Sequence, residues 1–165
     1  MEKIGETAFE GCEGVFEIIL PNSLTEIQQG AFKGCSMVIE MTIPFVGKNT
    51  TSTESKERIF GWFFGESETQ IEGTIMQKYS KEKKGYFYIP ESIGKVVISN
   101  EKKISYGAFY NCSEIIELTL NEGIESIEDY GFYNCHSLVD IELPSTIKSI
   151  KNYAFGLDNV EEVDD

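Results

Sequence analysis

Residues 104–126 read ISYGAFYNCSEIIELTLNEGIES, and residues 127–149 read IEDYGFYNCHSLVDIELPSTIKS. Ile104, Ile127 and Ile150 open successive copies of one pattern, 23 residues apart. A fixed period of this length marks a solenoid, in which each coil buries its apolar face only against its neighbours. The pattern extends to the start of the chain. Ile4, Ala8-Phe9, Cys12, Val15, Ile18 and Leu20 return 23 residues later as Ile27, Ala31-Phe32, Cys35, Val38, Met41 and Ile43.

Each coil ends in alternation, as in Ile18-x-Leu20, Met41-x-Ile43, Leu118-x-Leu120 and Ile141-x-Leu143. Period two over three or four residues predicts a short strand with one buried face. Because every coil repeats it in one chain direction, the strands must stack in parallel, about 4.8 Å apart. Before each strand comes a small residue beside a ring: Ala8-Phe9, Ala31-Phe32, Ala108-Phe109, Gly131-Phe132 and Ala154-Phe155. That pair suits a tight corner with the ring in the coil's interior. Two residues on stand Gly11, Gly34, Asn111 and Asn134, types that tolerate a left-handed backbone. These asparagines are therefore read as turn residues.

Cys12, Cys35, Cys112 and Cys135 each follow a corner Phe by three residues, so they are one repeat position used four times. No C-x2-C pair exists and His136 is the lone histidine. The expectation is a column of small buried thiols, and no metal site. Composition adds exclusions. The 165 residues hold 28 acids against 14 bases, a net charge of −14, which opposes duplex nucleic acid and anionic lipid and favours cationic partners. No apolar run approaches the roughly 18 residues of a membrane span.

Between Met41 and Val96 the register breaks, with 55 residues where one coil needs 23. Ile59 and Phe64 keep the corner spacing, so Ile59-Phe60-Gly61-Trp62-Phe63-Phe64 is expected to replace a corner. The surplus is then the polar stretch from Lys48 to Lys56 and a second segment of about one period. In the latter, Thr74–Tyr79 and Tyr86–Ile89 flank a basic turn ending in Gly85, which predicts a β-hairpin projecting from the solenoid. A degenerate extra coil is the alternative. The coils are expected near 4–26, 27–46, 47–103 (insertion at about 47–92), 104–126, 127–149 and 150–165, in one domain. Ile4 already opens a repeat, which reads as a piece of a longer chain. Asp158 in the cysteine column and the acidic run to Asp165 read as a polar C-terminal cap.

Written out as Ile, Ala-Phe, Cys, Leu, Ile-x-Ile-Pro and Ser-x-x-x-Ile, the repeat resembles the BspA-like class of leucine-rich repeats. The interruption is similar to one in that family, through Phe60-Gly61-Trp62-Phe63-Phe64-Gly65 and Tyr86-Phe87-Tyr88-Ile89-Pro90-Glu91-Ser92-Ile93. The resemblance implies a right-handed, mainly β repeat solenoid at the cell surface or outside the cell. It further implies binding to host or matrix proteins, with no catalytic residues; a monomer without a cofactor is expected.

Candidate chemistry fails residue by residue. Gly47-Lys48-Asn49-Thr50 lacks the spacing of a phosphate loop, and Asn49-Thr50-Thr51 is a glycosylation sequon only. His136 occupies a column otherwise held by Glu13, Ser36 and Ser113, a solvent-side turn position. What remains is the outward face of the strands. One column holds Glu17, Glu40, Lys95, Glu117, Asp140 and Glu162, and the next holds Ile19, Thr42, Val97, Thr119, Glu142 and Asp164. Lys95 should sit between Glu40 and Glu117. This acidic strip is either a solvated face or a site for a basic protein or a divalent cation. Trp62, Tyr86 and Tyr88, with Phe63, Tyr79 and Phe87, are either interface anchors or the insertion's own core. The function these features favour is a non-enzymatic binding or adhesion module, with a structural spacer as the alternative.

Overall fold

The computed structural model describes residues 2–158, and its strands are short. In chain order they are β1 (Lys3–Ile4), β2 (Glu17–Ile19), β3 (Glu26–Ile27), β4 (Glu40–Ile43), β5 (Glu66–Ser67), β6 (Ile75–Lys78) and β7 (Lys84–Phe87). They continue as β8 (Lys95–Ile98), β9 (Lys103–Ile104), β10 (Glu117–Leu120), β11 (Ser126–Ile127), β12 (Asp140–Glu142) and β13 (Ser149–Ile150). Among the described residues, helical structure is confined to two 3-10 turns, Ser55–Arg58 and Phe60–Phe64.

The chain is a mainly β solenoid. Strands β12, β10, β8, β4 and β2, in that spatial order, form one parallel sheet. Its register is the repeat itself: Ile18 pairs with Met41, Met41 with Val96, Val96 with Leu118 and Leu118 with Ile141. Alternation does the sorting within a strand. Leu118 and Leu120 are buried while Glu117 and Thr119 face solvent. β4 and β8 are direct neighbours although the whole insertion lies between them in sequence. The insertion therefore leaves the main sheet intact.

The corner rings stand in file, buried along the middle of the stack, with Phe9 and Phe155 exposed at its two ends. Phe9 stacks on Phe32 at 5.3 Å, Phe109 on Phe132 at 5.2 Å and Phe132 on Phe155 at 5.1 Å. Phe32, Phe109 and Phe132 are at most 2% exposed. The break in the repeat is filled by rings from the insertion. Phe63 meets Phe32 edge-on at 6.5 Å, Phe60 meets Phe63 edge-on at 5.8 Å, and Phe60 lies 5.1 Å from Phe109. Burial of each such ring contributes about 1.5–3 kcal/mol, and each well-placed pair about 0.5–1.5 kcal/mol more. The backbone follows the rings. The Phe9 N–H donates to Ala31 O, Phe32 to Phe63 O, Phe60 to Ala108 O and Phe109 to Gly131 O. The segment Ile59–Phe64 does replace a corner, but it uses two different rings for its two neighbours.

The second surplus departs from expectation. β6 and β7 do pair as an antiparallel hairpin, but a third strand, β5, adds to β7, and Gly85 lies within β7 and not in the turn. Nor does the hairpin project. Phe87 and Gln77 are fully buried. Gln77 accepts from the Gly61 N–H at 2.7 Å and donates to Tyr110 O at 3.0 Å. Strand β6 thus lies along the corners of the coils on either side of it. The physical reason is the number of apolar and hydrogen-bonding groups on its inner face, which would be stranded in a free hairpin.

The sheet of two-residue strands is split, because β1-β3 and β13-β11-β9 are separate. Residues of the polar stretch bridge the gap on the β3 side: Ile27 N–H donates to Lys48 O, and Lys48 N–H to Glu57 O. Beneath them lies an ion pair that sequence reading did not foresee. Arg58 Nη2 stands 3.1 Å from Glu101 Oε1, both side chains at most 5% exposed. Glu101 also accepts from the Val46 N–H at 3.1 Å, and Arg58 donates to the Asn49 carbonyl. A buried pair of this kind persists only when its remaining donors and acceptors are met.

A candidate partner-binding face on the strands

The outward side of the five-stranded sheet carries two columns, and a third exposed file borders the start of its strands. The first is Glu17, Glu40, Lys95, Glu117 and Asp140, each paired in register with the next. Lys95 Nζ lies 3.5 Å from Glu40 and 3.8 Å from Glu117, between them as its register requires. Glu17 beside Glu40, and Glu117 beside Asp140, have no cation between them in the ladder. Like charges at about 4 Å repel by about 1 kcal/mol in water, less in salt. The second column is Ile19, Thr42, Val97, Thr119 and Glu142, with Ile19 67% exposed. Glu162 and Asp164 lie outside the described residues.

A third column was missed. One residue before each member of the first column stand Phe16, Ile39, Gly94, Ile116 and Val139. Their backbones join in sequence, the N–H of Ile39 to Phe16 O, of Gly94 to Ile39 O, of Ile116 to Gly94 O and of Val139 to Ile116 O. The four large side chains are 49–82% exposed, Val139 the most. An exposed apolar file with the solenoid's own period is a surface feature, not scattered hydrophobicity. Its signal was present in the sequence as an apolar residue preceding each acid of the ladder, in four of the five coils. Inward alternation, the pattern that marks a strand, does not include this position.

The insertion's aromatics are divided. Trp62 is not an anchor for a partner: it is 8% exposed and its indole N–H donates to Ile27 O at 2.8 Å. An indole with its face packed and its one donor satisfied belongs to the core. Phe63, Phe87 and Tyr79 are buried too. Tyr86 and Tyr88 are half-buried. Tyr86 pairs with Ser67 and Met76 in the inserted sheet, and the Lys33 ammonium sits 5.2 Å from the Tyr88 ring centre. Neither belongs to the strand columns.

Cys35, Cys112 and Cys135 are shielded by their environment. Cys35 Sγ donates to Phe9 O and Cys135 Sγ to Phe109 O, and all four cysteines are unbridged. Burial pushes the Cys135 thiol up to about 12 and holds Cys112 well above the usual thiol range. Such groups are poor nucleophiles at neutral pH. His136 is exposed. Among the described residues, no three His, Cys, Asp or Glu side chains converge as metal ligands, so the acid column offers pairs of carboxylates at most. No helix among them is long and apolar enough to cross a membrane.

The coils over residues 1–56 and 80–164 match the BspA type leucine rich repeat region, in six copies. The chain belongs to that family. BspA-type repeats are generally protein-interaction modules and typically carry no catalytic centre. Two solved structures are similar to this chain. A leucine-rich repeat protein from Bacteroides ovatus ATCC 8483 is 21% identical, with a TM-score of 0.36 over 93% of this chain and 44% of its own. The T. pallidum leucine-rich repeat protein is 17% identical, with a TM-score of 0.39 over 92% of this chain and 67% of its own. The chain thus spans less than half the length of the first. No curated protein matches it.

Proposed function

We propose that this BspA-type chain is a non-enzymatic binding or adhesion module whose strand face receives a basic protein segment. Its place of work is outside the cell or on the cell surface, and it acts as a monomer. One observation carries the reading: an exposed apolar file, Phe16-Ile39 and Ile116-Val139 with Gly94 between them, borders a column in which Glu17 pairs with Glu40 and Glu117 with Asp140. A partner with lysine or arginine beside apolar side chains meets both columns at once. The apolar contacts supply affinity and the acids supply orientation and on-rate. The pairs Glu17–Glu40 and Glu117–Asp140 add to this, because a cation from the partner relieves their repulsion.

The test is titration of the full chain with a peptide of alternating lysine and leucine, followed by fluorescence anisotropy. Saturable binding is expected, weakening with salt. Glu117→Gln with Asp140→Asn should lower affinity about tenfold and flatten the salt dependence. Ile116→Ser with Val139→Ser should lower affinity and leave the salt dependence unchanged. Equal affinity in all three proteins would remove the proposal, and absence of binding throughout would favour a spacer.

A further inference from the structure

The split between β3 and β9 leaves a recess on the β9 side of the Lys48–Glu57 bridge, and its lining residues are mostly polar. Residues 50–53 and Ser55 form one wall with Arg58, while Lys103, Ser105 and Tyr106 with Glu128 and Asp129 form the other. The cavity measures about 640 Å³, within the range of about 300–1,000 Å³ typical of small-ligand sites.

Ser52 donates its hydroxyl to Glu57, but most polar groups in the recess are unspent. Among the described residues, the hydroxyls of Thr50, Thr51, Thr53 and Ser55 hold no partner within the protein. Ser105 Oγ is buried and also unpartnered. A buried hydroxyl without a partner is costly, and native structures rarely leave one. Each carboxylate uses one oxygen internally: Asp129 Oδ1 accepts from the Asn152 N–H and Glu128 Oε1 from Ser126 Oγ. The second oxygens are left over. Arg58, by contrast, is spent on Glu101.

We infer that this recess binds a neutral mono- or disaccharide. The chemistry selects the class. A phosphate or sulfate would meet the Glu128 and Asp129 carboxylates against Lys103 alone, because Arg58, the other cation of the lining, is already neutralised by Glu101. A metal ion would find two carboxylates and no third ligand. An apolar ligand would strand the hydroxyls. A sugar presents hydroxyls that both donate and accept, which matches threonine and serine hydroxyls beside carboxylates. It also has an apolar C–H face, for which Tyr106, backed by Tyr130 at 5.5 Å, supplies a ring wall. The site is separate from the strand face and does not depend on it.

Backbone amide NMR of the full chain decides it, with lactose, maltose, cellobiose and diacetylchitobiose each titrated to millimolar concentration. At least one sugar should give saturable shifts confined to residues 50–55, 103–106 and 128–129. Thr51→Val with Thr53→Val removes two hydroxyls from the first wall with little change of volume and should leave the melting temperature unchanged. It is expected to weaken binding about tenfold, as the loss of one or two hydrogen bonds does. Tyr106→Ala should abolish the shifts, while binding of the lysine-leucine peptide to the strand face persists in both variants. If no sugar shifts these residues, the recess holds water only and the inference falls. It falls also if the shifts map to the strand columns, or if the threonine variant binds as well as the parent.

Discussion

Asn111 and Asn134 hold φ values of 63° and 60°, and Gly11 and Gly34 hold 77° and 79° at the equivalent position. The turn column is therefore left-handed in each coil that carries it, as glycine and asparagine in those places require. The asparagines do more than permit the turn. Asn134 Nδ2 donates to Asn111 Oδ1 at 2.9 Å and to Asp158 Oδ2 at 2.6 Å, and the Asp158 N–H returns a bond to Asn134 Oδ1. Asp158, expected as a charge in the thiol column, instead ends this side-chain ladder. The thiols that precede it in the column carry a prediction. Cys135 has a thiol pKa near 12 in the folded chain against about 9 when exposed. The folded state thus holds its proton above pH 9 while the unfolded state releases it. Stability from this group is complete below pH 9 and declines as pH rises toward 12. Urea midpoints measured from pH 8 to pH 11 should fall, and Cys135→Ala should lessen the slope. In native protein at neutral pH, a thiol reagent should reach the half-buried Cys12 first and the other three only on unfolding.

At the scale of elements, the inserted sheet is the part that departs from periodicity. It is held by buried groups that reach coils on both sides, Gln77 to the corner at Tyr110 and Phe87 against Gly61. Its seat is narrow. Gly107 has a φ of 62°, and a Cβ added there would fall on the Lys78 carbonyl. Gly107→Ala should lift β6 from the corner as well as strain the backbone. The expected loss is at least 1–2 kcal/mol from the backbone alone, with hydrogen exchange accelerating in β6 and β7 and little change in β10 or β12. Uniform acceleration throughout the chain would mean that the insertion and the coils are one unit. The ring pair Phe60–Phe63 explains why the corner at this point could be anticipated only in part. The five-residue spacing from Ile59 to Phe64 survives, but Phe64 turns toward Phe60 at 5.2 Å and leaves the file to the other two rings.

For the whole molecule, the question is what keeps the coils on either side of the split acting together. The main sheet runs through, but the second ladder does not, and the Arg58–Glu101 pair lies where it is interrupted. Arg58→Ala would leave Glu101 buried without its counter-charge, a loss of about 3–5 kcal/mol. Arg58→Met with Glu101→Leu should recover much of it, since apolar replacement of a buried pair is often neutral or better. Urea unfolding followed separately at Trp62 and by far-ultraviolet dichroism checks this. Solenoids lose cooperativity when a neighbour interface weakens, so the two signals should coincide in the parent and separate in Arg58→Ala. Coincident transitions at an unchanged midpoint would show the pair to be dispensable.

Period, strand register, ring file, thiol column and the place of Lys95 between two glutamates were all readable from residues 23 apart, because a solenoid gives equivalent positions equivalent neighbours. The apolar file from Phe16 to Val139 was readable by the same rule. The insertion follows no such rule. That Trp62 turns inward, that β6 lies flat on Gly107, that Arg58 finds Glu101, and that a polar recess opens beside Tyr106 all depend on groups meeting once, without a periodic counterpart. Those contacts are set by which buried donors and charges must be satisfied when the folded insertion closes against the stack, and three-dimensional packing alone decides that.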